Sequence, residues 1–333
     1  MDITQARIDR LIVHRVGNKA RDEALFLTEA DSALDTDAAV MILHGYLKGI
    51  VAERRKYRFR HDSDINLNEV FHYSRQFFGG QCDFIELSQR VARHLYSKTQ
   101  HPNIGAGDLF VILFADLDGP GSRAIGIFKS EVREEFLTLD ESGGSFKLGH
   151  ASGINPKMID KGALLLESDN LVYALDRAGR ETKYWQEDFL QAERLPDPAS
   201  SGRMMAQILE SLAQDIEDPL SQLKFKENLR TLCDSTPELS TSQVTALADD
   251  YLAPQHIAAT VSEAADRSGF ALDREARLPS EGLYKRIERS LNKSTLGHGI
   301  SLLLPSQFSL QHIHSLDQGE DGMVLTLTLK RRE

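Results

Sequence analysis

The chain has 333 residues, of which 41% are hydrophobic and 27% charged. With a mean hydropathy of -0.34, it reads as an ordinary folded chain and not as a disordered or fibrous one. Lys plus Arg is 39 against 50 Asp plus Glu, a net charge of -11, so any polyanion must be met by a local patch and not by the whole molecule. No apolar run approaches the roughly 18 residues of a membrane span. The opening MDITQARIDRLIVHRVG carries charges at Asp2, Arg7, Asp9 and Arg10 and does not read as a secretory signal, so the expected location is cytoplasmic. Cys82 and Cys233 form no C-x-x-C pair, which removes zinc ribbons, thioredoxin-like sites and iron–sulfur clusters.

In chain order, Ile8–Val16 is rich in β-branched residues and predicts a strand. Helical spacing follows over 33–52, through Val40, Leu43, Leu47 and Val51, and again over Phe84–Lys98, where Phe84, Leu87, Val91 and Leu95 form one stripe. Strands are then predicted over 108–117, 123–130, 134–140, 162–168 and 170–176, with hairpin spacing that implies a mainly antiparallel sheet. Leu109–Phe114 is almost continuously apolar, as a central strand covered on both faces would be. The Pro-, Ser- and Gly-rich stretch 196–202 predicts a linker between a domain at 1–195 and one at 203–333. Beyond it, helices are predicted over 203–218, 219–234, 242–252, 258–268 and 282–293, and strands over 300–304 and 323–331. The fold class expected is therefore α+β: a mainly antiparallel sheet with covering helices in the N-terminal half, and a mostly helical C-terminal half ending in a short strand pair.

Catalytic signatures are missing from this plan. Neither G-x-x-x-x-G-K-[ST] nor a strand-to-helix G-x-G-x-x-G occurs, which removes the usual phosphate cradles. Gly149-His150-Ala151-Ser152-Gly153 is not a nucleophile elbow and reads as a loop. Asp116 and Asp118 precede Gly119-Pro120-Gly121, where aspartates close turns on backbone N–H groups. A metal-dependent nuclease using Asp116, Asp118 or Glu131 would need a carboxylate two residues before a strand lysine, and Ile127 stands there before Lys129. The cluster His61-Asp62-Ser63-Asp64 and the pair His312 and His314 complete the candidate metal ligands; the histidine pair reads as surface or interface imidazoles, since no Cys or third His lies near. No enzyme activity, cofactor or metal is expected.

Two basic segments stand out. Residues Arg54, Arg55, Lys56, Arg58 and Arg60 put five cations into seven positions. In an extended chain Arg54, Lys56, Arg58 and Arg60 would share one face, with Arg55, Tyr57 and Phe59 on the other, so that the aromatics dock on a core and the cations meet DNA phosphates. The alternative is a solvated edge strand, or cations paired with Asp62 and Asp64. Arg286, Arg289 and Lys293 recur at helical spacing on the polar side of Leu283, Ile287 and Leu291 and form a second candidate surface. Residues 203–282 hold 7 Lys/Arg against 14 Asp/Glu, an acidic block suited to docking another protein.

The segments IVHRVGNK (12–19), HPNIGAGDLFV (101–111), IGIFKSE (125–131), INPKMIDKGALLLE (154–167) and YWQEDFL (184–190), taken in order, resemble the bacterial 37 kDa nucleoid-associated protein family. The resemblance implies a bacterial protein of the nucleoid, with double-stranded DNA or nucleoid-bound proteins as partners and no established enzymatic activity for the family as a whole. It carries over no binding residues, so the named sites rest on charge pattern alone. The functional expectation is a DNA-binding protein of weak sequence specificity. The alternative is an adaptor whose acidic helical domain binds a DNA-processing enzyme. Self-association stays open at this point.

Overall fold

In the computed structural model, which describes residues 1–177, 184–297, 300–305, 307–319 and 322–331, the chain divides into two compact units, Met1–Leu195 and Pro196–Glu333. The first contains strands β1 (Arg7–Val16) and β2 (Leu25–Phe26), helices α1 (Thr36–Ile42) and α2 (Lys48–Ala52), strand β3 (Lys56–Phe59), helices α3 (Glu69–Phe78) and α4 (Phe84–Lys98), and strands β4 (Gly107–Ala115), β5 (Arg123–Ser130), β6 (Glu134–Ser142), β7 (Ser145–Gly153), β8 (Lys161–Leu166), β9 (Leu171–Asp176) and β10 (Ala192–Arg194). Eight of these strands form one sheet in the order β10-β3-β9-β8-β5-β4-β1-β2, every neighbouring pair antiparallel.

Period-two alternation along the central strands builds two cores from one sheet. Leu109, Val111 and Leu113 of β4 face α3, α4 and the π-helical turn Trp185–Leu190; Ile112 and Phe114 face α1, α2 and the π-helical turn between them. Both faces are covered, which is why β4 carries no polar alternation. Helix α4 forms as its stripe predicts: Asp83 caps it by accepting from the Glu86 N–H at 2.8 Å, and Phe84, Leu87, Val91 and Leu95 are buried. On the opposite face Tyr46 stacks on Phe128 at 4.8 Å between ring centroids. Gly126 is required beside that stack, since a Cβ there would lie 2.6 Å from the Phe114 ring and 2.7 Å from Phe128.

The second unit contains helices α5 (Pro198–Asp215) and α6 (Pro219–Ser235), strand β11 (Glu238–Ser240), helices α7 (Thr241–Ala248) and α8 (Pro254–Ser268), strand β12 (Arg277–Pro279), helix α9 (Ser280–Asn292), and strands β13 (Lys293–Gly297), β14 (Ile300–Leu303), β15 (Phe308–Gly319) and β16 (Gly322–Arg331). Its helical core includes Met205, Leu209, Phe225, Leu229 and Ile287. Leu223 of α6, with Leu296, Leu304 and Leu310, forms a smaller core beneath the terminal strands.

Three expectations are corrected. Residues 198–202 are not a linker but the start of α5: Asp197 and Ser200 form a capping box and Pro198 occupies the first turn, where it lacks only an N–H the helix would not use. The segment holding Gly149–Gly153 is not a loop but strand β7, returning from β6 through Gly143 and Gly144, whose φ of 61° and 79° suit a two-residue hairpin turn. The two terminal strands do not pair with each other: β14 pairs with β13 and β16 with β15, in ribbons whose inward leucines reach the smaller core. The α+β class and the large antiparallel sheet are as expected.

Candidate nucleic-acid interface

Strand β3 places the first basic segment. Tyr57 and Phe59 are buried, Phe59 against Phe71 of α3 at 5.7 Å between centroids, while Lys56, Arg58 and Arg60 are exposed. The aromatics fix the strand's rotation, so the outward direction of the cations follows from core packing. The segment's far end is tied by Asn68, fully buried at 0% exposure, whose side-chain amide reaches the carbonyls of Arg60, Leu190 and Gln191 at 3.1, 2.9 and 3.1 Å.

The strand is one position in from the sheet edge, flanked by β9 and by the three-residue β10, so the edge-strand alternative does not hold. Nor do the nearby acids neutralise the cations. Among the described residues, Arg54, Lys56, Arg58 and Arg60 have no carboxylate within ion-pair distance; Asp64 instead caps the following turn by accepting from the Asn66 N–H at 2.9 Å. Arg58 stands opposite Glu193 in the register with β10, and the Lys56 ammonium lies 5.5 Å from the Tyr173 ring centroid.

Arg54 and Arg55 depart from strict alternation. Arg54 turns the chain from α2 into β3 with φ 54°, ahead of the strand. Arg55 is exposed, not core-facing, and meets Glu53 at 3.4 Å. Such an exposed pair contributes under about 1 kcal/mol and leaves the guanidinium accessible.

In the second unit, Arg286 and Arg289 are exposed on α9 while Leu283, Ile287 and Leu291 are buried. The expected three-residue stripe stops at two, because the helix ends at Asn292 and Lys293 is the first residue of β13. The Arg286 Nε lies over Gly202 of α5, 3.6 Å from where a Cβ there would be. The two basic segments belong to separate units, and each is described by itself.

The turn reading of Asp116 and Asp118 is met: both have φ 60°, and the Asp116 carboxylate accepts from Gly121 N–H at 2.8 Å and from Arg7 at 3.0 Å. Among the described residues no group of three or more His, Cys, Asp or Glu side chains could hold a metal. His312 and His314 are exposed with ring centroids 4.6 Å apart, and His314 Nε2 lies 2.8 Å from the Thr328 hydroxyl.

A charged cluster that composition did not single out lies inside the first unit. Lys129 on β5, Lys161 on β8 and Asp176 on β9 are successive register partners, with side chains 0%, 2% and 1% exposed. The Lys129 ammonium donates to Glu131 at 2.9 Å, to the Gly105 carbonyl and to the Tyr184 hydroxyl; Lys161 meets Asp176 at 2.9 Å. Burial pushes the Lys129 pKa down, partly offset by Glu131, and burial with the Glu131 charge pushes Tyr184 upward. The usable signal was positional: Lys129, Lys161 and Asp176 each abut an apolar strand run. The network holds five backbone segments together: β5, β8, β9 and the segments at Gly105 and Tyr184.

These features define an α+β protein of two units with an exposed cationic strand and a sealed ionic core. Residues 12–328 match the model of the family described as NA37, nucleoid-associated protein YejK, and the chain belongs to that family. No curated protein matches the chain. Among the described residues no helix is long and apolar enough to cross a membrane.

Proposed function

We propose that the chain is a non-catalytic nucleoid-associated protein that binds duplex DNA through Arg54, Lys56, Arg58 and Arg60, with Arg55 beside them. The observation that carries this reading is a row of exposed cations without ion-pair partners among the described residues, held outward by Tyr57 and Phe59 in the core. Such cations have their unpaired charge available to phosphates, and contacts to phosphate alone give weak sequence preference. Membership of a nucleoid-associated family supports the same reading. Arg286, Arg289 and Lys293 are a secondary contact in this proposal.

Binding of a fluorescent duplex followed by anisotropy across a salt series tests it. Log affinity is expected to fall linearly with log salt, and the Arg54→Glu/Arg58→Glu/Arg60→Glu variant to flatten that slope by about three phosphate contacts. Unchanged affinity and slope in the variant would remove the ridge from the site. A magnesium arm is expected to return intact duplex, and cleavage would overturn the non-catalytic reading.

The acidic block supports a second reading, the adaptor. Asp249, Asp250, Glu263, Asp266, Asp273 and Glu275 are all exposed on the second unit, and the negative net charge opposes approach to DNA at long range. Absence of duplex binding at low salt, together with recovery of a DNA-processing enzyme from nuclease-treated lysate, would favour it.

A further inference from the structure

Strands β6 and β7 pair only with each other, forming a ribbon separate from the eight-stranded sheet. Their register sets Leu137 opposite His150, Leu139 opposite Leu148 and Glu141 opposite Phe146, so Leu137, Leu139, Phe146 and Leu148 fall on one face. These four side chains are 77%, 65%, 68% and 66% exposed. An isolated two-stranded ribbon is marginal in water without a covered apolar face, and here that face is open.

The root of the ribbon is fixed. The Asp160 carboxylate accepts from the N–H groups of Glu131 and Val132 at 2.7 and 3.2 Å, and Asn155 donates to Glu134 at 3.0 Å. Glu131 is also the partner of buried Lys129. The open face is therefore held on a firm base.

We infer that this face is covered by the same face of a second copy of the chain, in a two-fold dimer. The area argues for it. Four side chains this exposed present on the order of 500 Å² of apolar surface per copy, so two faces together bury about 1,000 Å², the lower bound for a specific and reversible contact. Glu134, Glu135, Asp140 and Glu141 outnumber Lys147 on the ribbon, which disfavours DNA as the occupant. A two-fold axis along the strands lays β6 of one copy over β7 of the other. Leu139 then meets Leu148, and Glu135 and Glu141 are kept from facing their own copies.

Sedimentation of the full chain without DNA, over a concentration series, tests the inference independently of the ridge. Wild type is expected to show a reversible monomer–dimer equilibrium, and Leu139→Glu/Leu148→Glu to weaken it at least about tenfold with unchanged circular dichroism. Asp140→Lys, on the opposite face, is expected to leave it unchanged, as is the ridge variant. In a background with Cys82→Ser, mixing Leu139→Cys with Leu148→Cys chains is expected to give a disulfide-linked dimer in excess of either variant alone. A monomer at every concentration, or a dimer insensitive to the paired glutamates, overturns the proposal. Loss of DNA binding in the ridge variant with an intact dimer, or the reverse, separates failure of one reading from failure of the other.

Discussion

The ridge at Arg54–Arg60 and the network around Lys129 sit on the same sheet and use the same kinds of side chain, yet they do opposite things with charge. On the ridge, Arg54, Lys56, Arg58 and Arg60 face water and have no carboxylate within ion-pair distance among the described residues, and only Arg55 meets one, Glu53, so the field of the row extends outward. Around Lys129, cations and carboxylates are sealed together, and the charge is spent on holding β5, β8, β9 and Tyr184 in place. The difference comes from which way the strand residue points and what covers that face. Residue type alone does not separate a binding surface from a structural core.

The sharpest way to break this comparison is to remove a buried cation. Lys129→Ala is expected to cost about 3–5 kcal/mol in chemical denaturation, because Glu131 and the Gly105 carbonyl lose their donor in a dry site. Adding Glu131→Gln should recover part of that loss, and a loss below about 1 kcal/mol for the single variant would mean the network is not structural.

A buried cation without a carboxylate should behave in the reverse sense. Lys226 is 8% exposed, its ammonium donates only to the Lys293 carbonyl among its described partners, and burial lowers its pKa to about 8. The unfolded state therefore holds a proton that the folded state gives up between about pH 8 and the ordinary 10.5, so stability rises with pH through that window. Below it the penalty is fully present. Lys226→Met is expected to stabilise the chain by up to about 3 kcal/mol at pH 7, with the gain shrinking toward pH 10, readable from thermal melts at the two pH values.

Burial of a histidine gives a smaller effect at acid pH. His14 on β1 is 1% exposed, accepts from the Thr28 N–H at 3.1 Å, and has its pKa lowered by burial to about 4 from 6.5. Between those values the unfolded state is the more protonated, so stability falls as pH drops through the window. His14→Gln should flatten that fall, by about 2 kcal/mol between pH 7 and pH 4. An unaltered slope would place the acid sensitivity elsewhere.

The smallest stability effect belongs on the ridge. Arg58→Gln should shift unfolding by no more than about 0.5 kcal/mol, since the side chain is exposed and no new charge is set opposite Glu193, while weakening the proposed duplex binding. A large destabilisation would show that the ridge is structural after all.

Much of the fold was legible. The stripe of α4 and the unbroken apolar run of β4 appear in the sequence because burial on one helix face, or on both strand faces, leaves a periodic mark. The alternation of Tyr57 and Phe59 with Lys56 and Arg58 likewise forecast which way the ridge would face. The start of α5 was not legible, since Asp, Pro and Ser serve a helix cap as readily as a linker. Strand β7 was hidden by its glycines and by a face with no cover to impose apolar alternation.

By itself the sequence determined the α+β class, the acidic balance and the presence of one dense cationic strand, because these are properties of local spacing and composition. Tertiary structure alone decided that β3 lies one position in from the edge, that Lys129, Lys161 and Asp176 become neighbours, and that the apolar face of β6 and β7 lies open. Those outcomes depend on strand order and register, which join residues far apart in the chain, and no local pattern encodes the pairing.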